Sequence, residues 1–298
     1  FPQAEWNVNL SSQKKAQLKK HFQESAFVQA VVTRLQATYK NTLEYLLQSS
    51  VGDAENLAIA DIGWRGRPQV SLNKLLKRGG VLPKGGIKGF YFGSTEGKEI
   101  CPGDAVFSFL FDLSASLKGF YLRNNHLYES FAASQEGKIV FFQKNVSKQA
   151  PVLSPANQAA ITWGIPLQQE GILSFSRAFL AAYPLESLNE SDAYKILKKV
   201  LYLFIVHPSQ EEARVYGSFP MDGEVTESNV QEIAPVVTRK QFWALCFNLK
   251  NFNLFWVQAS LKRSRLLWEE KLWRLVLPVL QLGFYCLAIP ANKIFRKR

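Results

Sequence analysis

The spacing of apolar positions changes along this chain, and the changes predict its elements. From residue 25, Phe27, Val28, Val31, Val32, Leu35, Tyr39, Leu43 and Leu46 recur every three or four residues. That rhythm predicts a long amphipathic helix with one face on a core. Residues 57–62 form a short apolar run bounded by polar residues, which predicts a strand buried on both faces. Behind it, Pro68 suits a first helical position, Leu72, Leu75 and Leu76 return to helical spacing, and Gly79-Gly80 supplies a stop. A second apolar run at 87–93 completes a β-α-β unit.

The remaining pattern is coarser. Residues 11–25 predict a solvated helix, and the aromatic run 105–113 fits either a strand or a buried helix. Residues 126–133 predict a helix, 135–138 a turn and 139–143 a strand, with Pro151 and Pro155 marking a joint. Apolar stripes over 159–183, broken at Gly164 and Pro166, and over 191–206 predict helices. Ser209 and Glu212 have capping-box spacing, and 217–227 reads as a polar loop. The expected fold is α/β: a small Rossmann-like β-α-β portion in residues 1–150, followed by a predominantly helical portion in 151–298.

Composition adds three points. With 298 residues and 47% apolar content, the chain has enough material for a large core. It opens on Phe1, with a poorly defined lead-in over residues 1–12 and no apolar signal segment in residues 1–10. It is therefore expected to be excised from a longer polypeptide that carries a neighbouring catalytic domain. Cys101, Cys246 and Cys286 are scattered, as are the histidines. A zinc site or disulfide framework is not expected, nor is any cofactor, and a cytoplasmic setting is.

The basic character sits at one end. From residue 257 onward nine basic residues stand against Glu269 and Glu270, a net +7 of the chain's +12. Trp256, Trp268 and Trp273 interleave with them, and residues 275–292 are uncharged. The run is marginal for a membrane span and contains Pro278. The segment from Leu261 through the terminal Arg298 is thus expected to lie on an anionic membrane surface at its inner face. A core helix is the competing reading. Nucleic acid suits this interleaving less well and is not expected as a partner.

Candidate chemistry gathers where the first strand ends. Asp61 closes it, Gly63 and Gly66 bracket a turn, and Arg65 and Arg67 stand at the start of the following helix. Strand-to-helix turns in β-α-β units collect ligands, because free N–H groups and the helix dipole favour anions there. Gly63, Trp64, Arg65, Gly66, Arg67 and Gln69 are the candidate ligand residues. Asp61 and Glu136 are the candidate catalytic carboxylates, Glu136 as a general base. In the competing structural reading Asp61 binds turn N–H groups, the arginines and Glu136 are solvated, and Trp64 is a core residue.

Asp61-Ile62-Gly63-Trp64, Gly66 and Gln69, followed by Lys88-Gly89-Phe90-Tyr91-Phe92-Gly93, resemble a region of bacterial surface-polysaccharide proteins. There it follows a haloacid-dehalogenase-like domain, in large proteins that also carry glycosyltransferase modules. The similarity continues through Glu136-Gly137, Pro151-Val152-Leu153, residues 171–175 and 208–213, and ends near 255–260. Family members carry threonine after the second glycine, where this chain has Arg67. A haloacid-dehalogenase phosphatase needs an Asp-x-Asp pair, which Asp61-Ile62-Gly63 and Asp112-Leu113-Ser114 lack. The resemblance implies a component of polysaccharide biosynthesis that binds or acts on a sugar-phosphate or nucleotide-sugar donor. The alternative is a non-catalytic docking or membrane-association module of a larger enzyme.

Overall fold

The computed structural model describes residues 11–95, 98–113, 122, 124–187, 189–222, 230–246 and 254–275. Residues 1–10 of the lead-in, residues 223–227 of the predicted loop 217–227 and the tail beyond residue 275 lie outside the described residues. The fold is α/β, with a parallel sheet in the first half and mainly helices after it.

Two helices come first. α1 (Ser12–His21) starts at Ser11, whose hydroxyl accepts the Lys14 N–H at 3.3 Å. α2 (Ser25–Gln48) follows the predicted rhythm, but none of its residues is fully buried. Its expected place on a core is corrected below by what it packs against.

The β-α-β unit is β1 (Leu57–Asp61), α3 (Arg67–Arg78) and β2 (Ile87–Ser94). β3 (Ala105–Asp112) resolves the aromatic run as a strand. All three strands are parallel in the order β1-β2-β3, with Asp61 opposite Tyr91 and Phe90 opposite Phe107. Helix α3 begins one residue before Pro68, which takes its second position.

Only one face of this sheet is covered along its length; on the other, cover is confined to the end where Phe92 and Phe109 meet Tyr128 and Tyr194. Ile87, Gly89 and Tyr91 are buried beneath α3, where Gln69, Val70 and Leu76 are buried as well. On the other face Ala58, Ala60, Lys88, Phe90, Phe107 and Phe109 are exposed. Phe90 and Phe107 stack there with ring centres 5.1 Å apart. The expectation of a strand buried on both faces is thus corrected, because the one crossover helix of the unit shields one side.

Next come α4 (Asn125–Phe131), capped by Asn124, and the antiparallel hairpin β4 (Ile139–Asn145) with β5 (Lys148–Leu153). The hairpin is what α2 packs against. Tyr45 stacks on Phe142 at 4.3 Å, and Asn41 and Gln48 donate to the Phe142 and Gln149 carbonyls. These are half-buried, largely polar contacts, which is why α2 has an apolar stripe without a fully buried residue.

The helical half holds α5 (Gln158–Trp163), α6 (Ile165–Ala182), α7 (Glu190–Val206) and α8 (Gln210–Gly217). Both bonds of the capping box form at α8, Glu212 N–H to Ser209 Oγ and Ser209 N–H to Glu212 Oε2. β6 (Pro220–Asp222) and β7 (Val230–Glu232) make a short antiparallel pair, followed by α9 (Arg239–Cys246) and α10 (Val257–Arg263). The largest apolar cluster joins the two halves, with Leu110, Phe111 and Tyr128 packed among Ile165, Ile205, Phe219 and Trp256.

The described part of the basic tail is built into this fold. Leu261 is fully buried with Val237 and Phe242. Lys262 and Arg274 pair with Glu270, Arg239 with Glu269, and Arg263 with Glu232. Three of the expected surface cations are thus used internally. No helix among the described residues is long and apolar enough to cross a membrane.

Candidate functional site

The turn after β1 is fixed by its glycines. Gly63 has φ +142, and a Cβ there would lie 2.3 Å from the Gly93 carbonyl oxygen. Gly66 caps α3 at φ +71, where a Cβ would lie 2.9 Å from the Glu99 carbonyl. Both positions therefore need glycine. Three backbone bonds hold the turn to the end of β2 and the chain after it: Gly93 N–H to Ile62 O, Thr95 N–H to Trp64 O, and Glu99 N–H to Arg65 O.

Within this frame the side chains divide. Asp61 Oδ1 accepts the Gly63 N–H at 3.3 Å, so it closes the turn. Arg65 and Arg67 are exposed, and neither forms an ion pair among the described residues. Gln69, expected as a ligand residue, is 1% exposed. Its amide donates to the Ile87 carbonyl at 2.8 Å and the Ala105 carbonyl at 3.2 Å, and it accepts from the Tyr91 hydroxyl at 3.0 Å. Gln69 braces β2 and β3, and its polar atoms are occupied by doing so. Burial, with the Asp61 and Asp104 carboxylates, pushes the Tyr91 hydroxyl up to about 12.

Trp64 packs against the main apolar cluster. Its ring stacks on Phe111 with centres 5.9 Å apart, leans on Tyr128, and donates Nε1–H to Glu129 Oε1 at 3.0 Å. His126 meets the other oxygen of Glu129 through Nδ1 at 3.2 Å. Burial opposes ionisation of Glu129, but the hydrogen bonds from His126 and Trp64 and the His126 charge outweigh it. The carboxyl is held below the ordinary glutamate range.

Glu129 lines a cleft of about 350 Å³ together with Glu136. Lys138, Ser134, Ser154 and Asn157 give it further polar groups, and Ala133, Ile165, Phe219 and Met221 an apolar wall. Two carboxylates beside hydroxyl and ammonium groups are acceptors and donors for a polyol, and a carboxylate pair also serves proton transfer. The structure thus brings Trp64 and Glu136 to one site through Glu129. Asp61, Arg65 and Arg67 do not line the cleft, and Trp64 reaches it only through Glu129.

Glu129 and His126 escaped the sequence reading. The signal was their spacing of three on a segment already read as helical, which puts both side chains on one face. No protein-family model matches the chain, and no curated protein does.

Proposed function

We propose that this chain binds a phosphorylated sugar donor as a component of bacterial surface-polysaccharide assembly, held at the inner face of the membrane. One observation carries the ligand chemistry: Arg65 and Arg67 are both exposed on a glycine-forced turn at the start of α3, without an ion pair among the described residues. No acidic residue offsets them in the first turn of α3. Guanidinium forks match phosphate oxygens in bidentate fashion, and the helix N-terminus adds to the attraction. In the catalytic form of this reading Asp61 and Glu136 are the working carboxylates. The pathway is supported by the resemblance at residues 61–69 and 88–93, and the membrane setting by exposed Leu267, Trp268, Lys271 and Leu272 on the helical segment 267–275.

A second reading, a non-catalytic docking module, is favoured by the open sheet face with its stacked Phe90 and Phe107. Calorimetric titration of the intact chain with sugar phosphates and nucleotide sugars separates the two. Binding that is lost in Arg65→Ala with Arg67→Ala, at unchanged thermal stability, supports the donor reading. No binding by the parent chain, or an unchanged isotherm in the double variant, overturns it.

A further inference from the structure

Helix α6 is apolar in sequence and is anchored only through its first residues, Ile165 in the core and Gln168 and Gln169 on the Ser130 and Ala133 carbonyls. Every residue from 170 to 183 is exposed, including Ile172, Leu173, Phe175, Phe179, Leu180 and Tyr183. Phe175 is 68% exposed. Helix α7 buries Leu201, Ile205 and Val206 in the core and turns Ile196, Val200 and Leu203 outward. An exposed apolar surface of this extent marks an interaction site.

Charge says what kind. Helices α6 and α7 carry four cations, Arg177, Lys195, Lys198 and Lys199; their carboxylates, Glu170, Glu190 and Asp192, lie toward the N-terminal ends, where Asp192 pairs with Lys195 at 2.9 Å. Lys195, Lys198, Lys199 and Tyr202 fall at helical positions i, i+3, i+4 and i+7, and together line a shallow hollow of about 320 Å³. That gathers three lysines on one side of α7 at a hollow wide enough for a phosphate headgroup, with Ile196, Val200 and Leu203 exposed on the same helix. Protein interfaces tend to exclude lysine from their centre. A bilayer surface accepts it, because the stem lies along acyl chains while the ammonium reaches the headgroups.

From this combination we infer that α6 and α7 form the face that docks on an anionic lipid bilayer. Exposed apolar residues of α6 enter the headgroup boundary and the α7 lysines neutralise lipid phosphates. The inference rests on the membrane part of the function proposed above and names a different surface for it from residues 261–298. Glu170 and Arg177 within α6, and the absence of a spanning helix among the described residues, make this a contact with one leaflet.

Co-sedimentation of the intact chain with phosphatidylcholine vesicles, with and without phosphatidylglycerol, tests it. Binding to the acidic vesicles, weakened by salt, is expected. Phe175→Glu with Ile196→Glu, and separately Lys195→Glu with Lys199→Glu, should each lower the partition coefficient about tenfold or more. All four side chains are exposed, so circular dichroism and thermal melting should match the parent. Parent-level binding by both double variants, with loss on Trp268→Ser with Lys271→Glu, overturns this inference and leaves the tail as the membrane contact. An intact chain that stays in the supernatant overturns both membrane assignments while leaving the sugar-phosphate titration unaffected. Self-association of the parent that Phe175→Glu with Ile196→Glu abolishes, with vesicle binding unchanged, makes the face a protein interface and likewise overturns the inference.

Discussion

Trp64 Nε1–H donates to Glu129 Oε1 at 3.0 Å across 65 residues of sequence. The bond joins the turn after β1 to the wall of the cleft, so the two halves of the candidate site share one carboxylate. With His126 on its second oxygen, Glu129 is ionised more readily in the folded chain than in the unfolded one. Its contribution to stability is therefore present above the ordinary glutamate value of about 4.3 and fades as pH falls through the lower folded value. The Nε1–H resonance of Trp64, identified by its loss in Trp64→Phe, should shift with a midpoint below about 4.3. In Trp64→Phe the Glu129 carboxyl carbon should titrate at higher pH than in the parent. An identical midpoint in both would mean that the indole does not hold the carboxylate.

Gly63 and Gly66 should tolerate no larger residue. Each has a positive φ, and at each a Cβ would meet a backbone carbonyl, which cannot swing aside as a side chain can. Gly63→Val and Gly66→Val should each cost about 1–3 kcal/mol in urea unfolding. Gly80, also at positive φ but with nothing within 4 Å of a Cβ, is the control for strain without a clash. Gly80→Ala should cost less than either. Equal losses at all three positions would place the effect in φ alone.

The Gln69 brace predicts a stability loss with no change in ligand binding. Tyr91→Phe removes the donor from buried Gln69 Oε1 and should cost about 1–3 kcal/mol, the penalty for an unsatisfied buried acceptor. Gln69→Leu removes the bonds to both strand carbonyls and should cost at least as much. If either variant unfolds at the parent urea concentration, the brace carries little of the sheet's stability.

The parts of this fold legible in sequence are those set by local chemistry. A proline behind a glycine-bracketed turn opens α3, and Ser209 with Glu212 caps α8, because these residue types act on backbone groups a few positions away. The run 105–113 was ambiguous because its apolar residues are continuous; pairing with β2 made it a strand. β5 was missed because Pro151 reads as a break, whereas an edge strand tolerates proline. The roles of Gln69, Trp64 and Glu129 depend on partners 18 to 65 residues away, which periodicity does not report. Sequence placed the candidate residues on one turn; only packing revealed that Trp64 joins the core and holds Glu129 while the arginines stay exposed.

The helical segment 267–275 is inverted, with its acidic residues inside, and this predicts how the fold responds to acid. Glu269 and Glu270 are about 95% buried, while Leu267, Trp268 and Leu275 face solvent. Burial alone would push the Glu269 carboxyl up. Its own backbone N–H, the Arg239 guanidinium and Trp243 together outweigh burial and hold it below the ordinary glutamate value. Stability from this group is therefore full above that ordinary value and drains away as pH falls through the folded one. Urea midpoints of the parent chain should decline in acid more steeply than those of Glu269→Gln. Arg239→Ala should destabilise the chain at neutral pH, and the difference from the parent should shrink as pH falls through the folded value and the carboxyl it pairs with becomes neutral. A loss of the same size at neutral pH and throughout the acid range would mean that Arg239 contributes through packing of its stem and not through its charge.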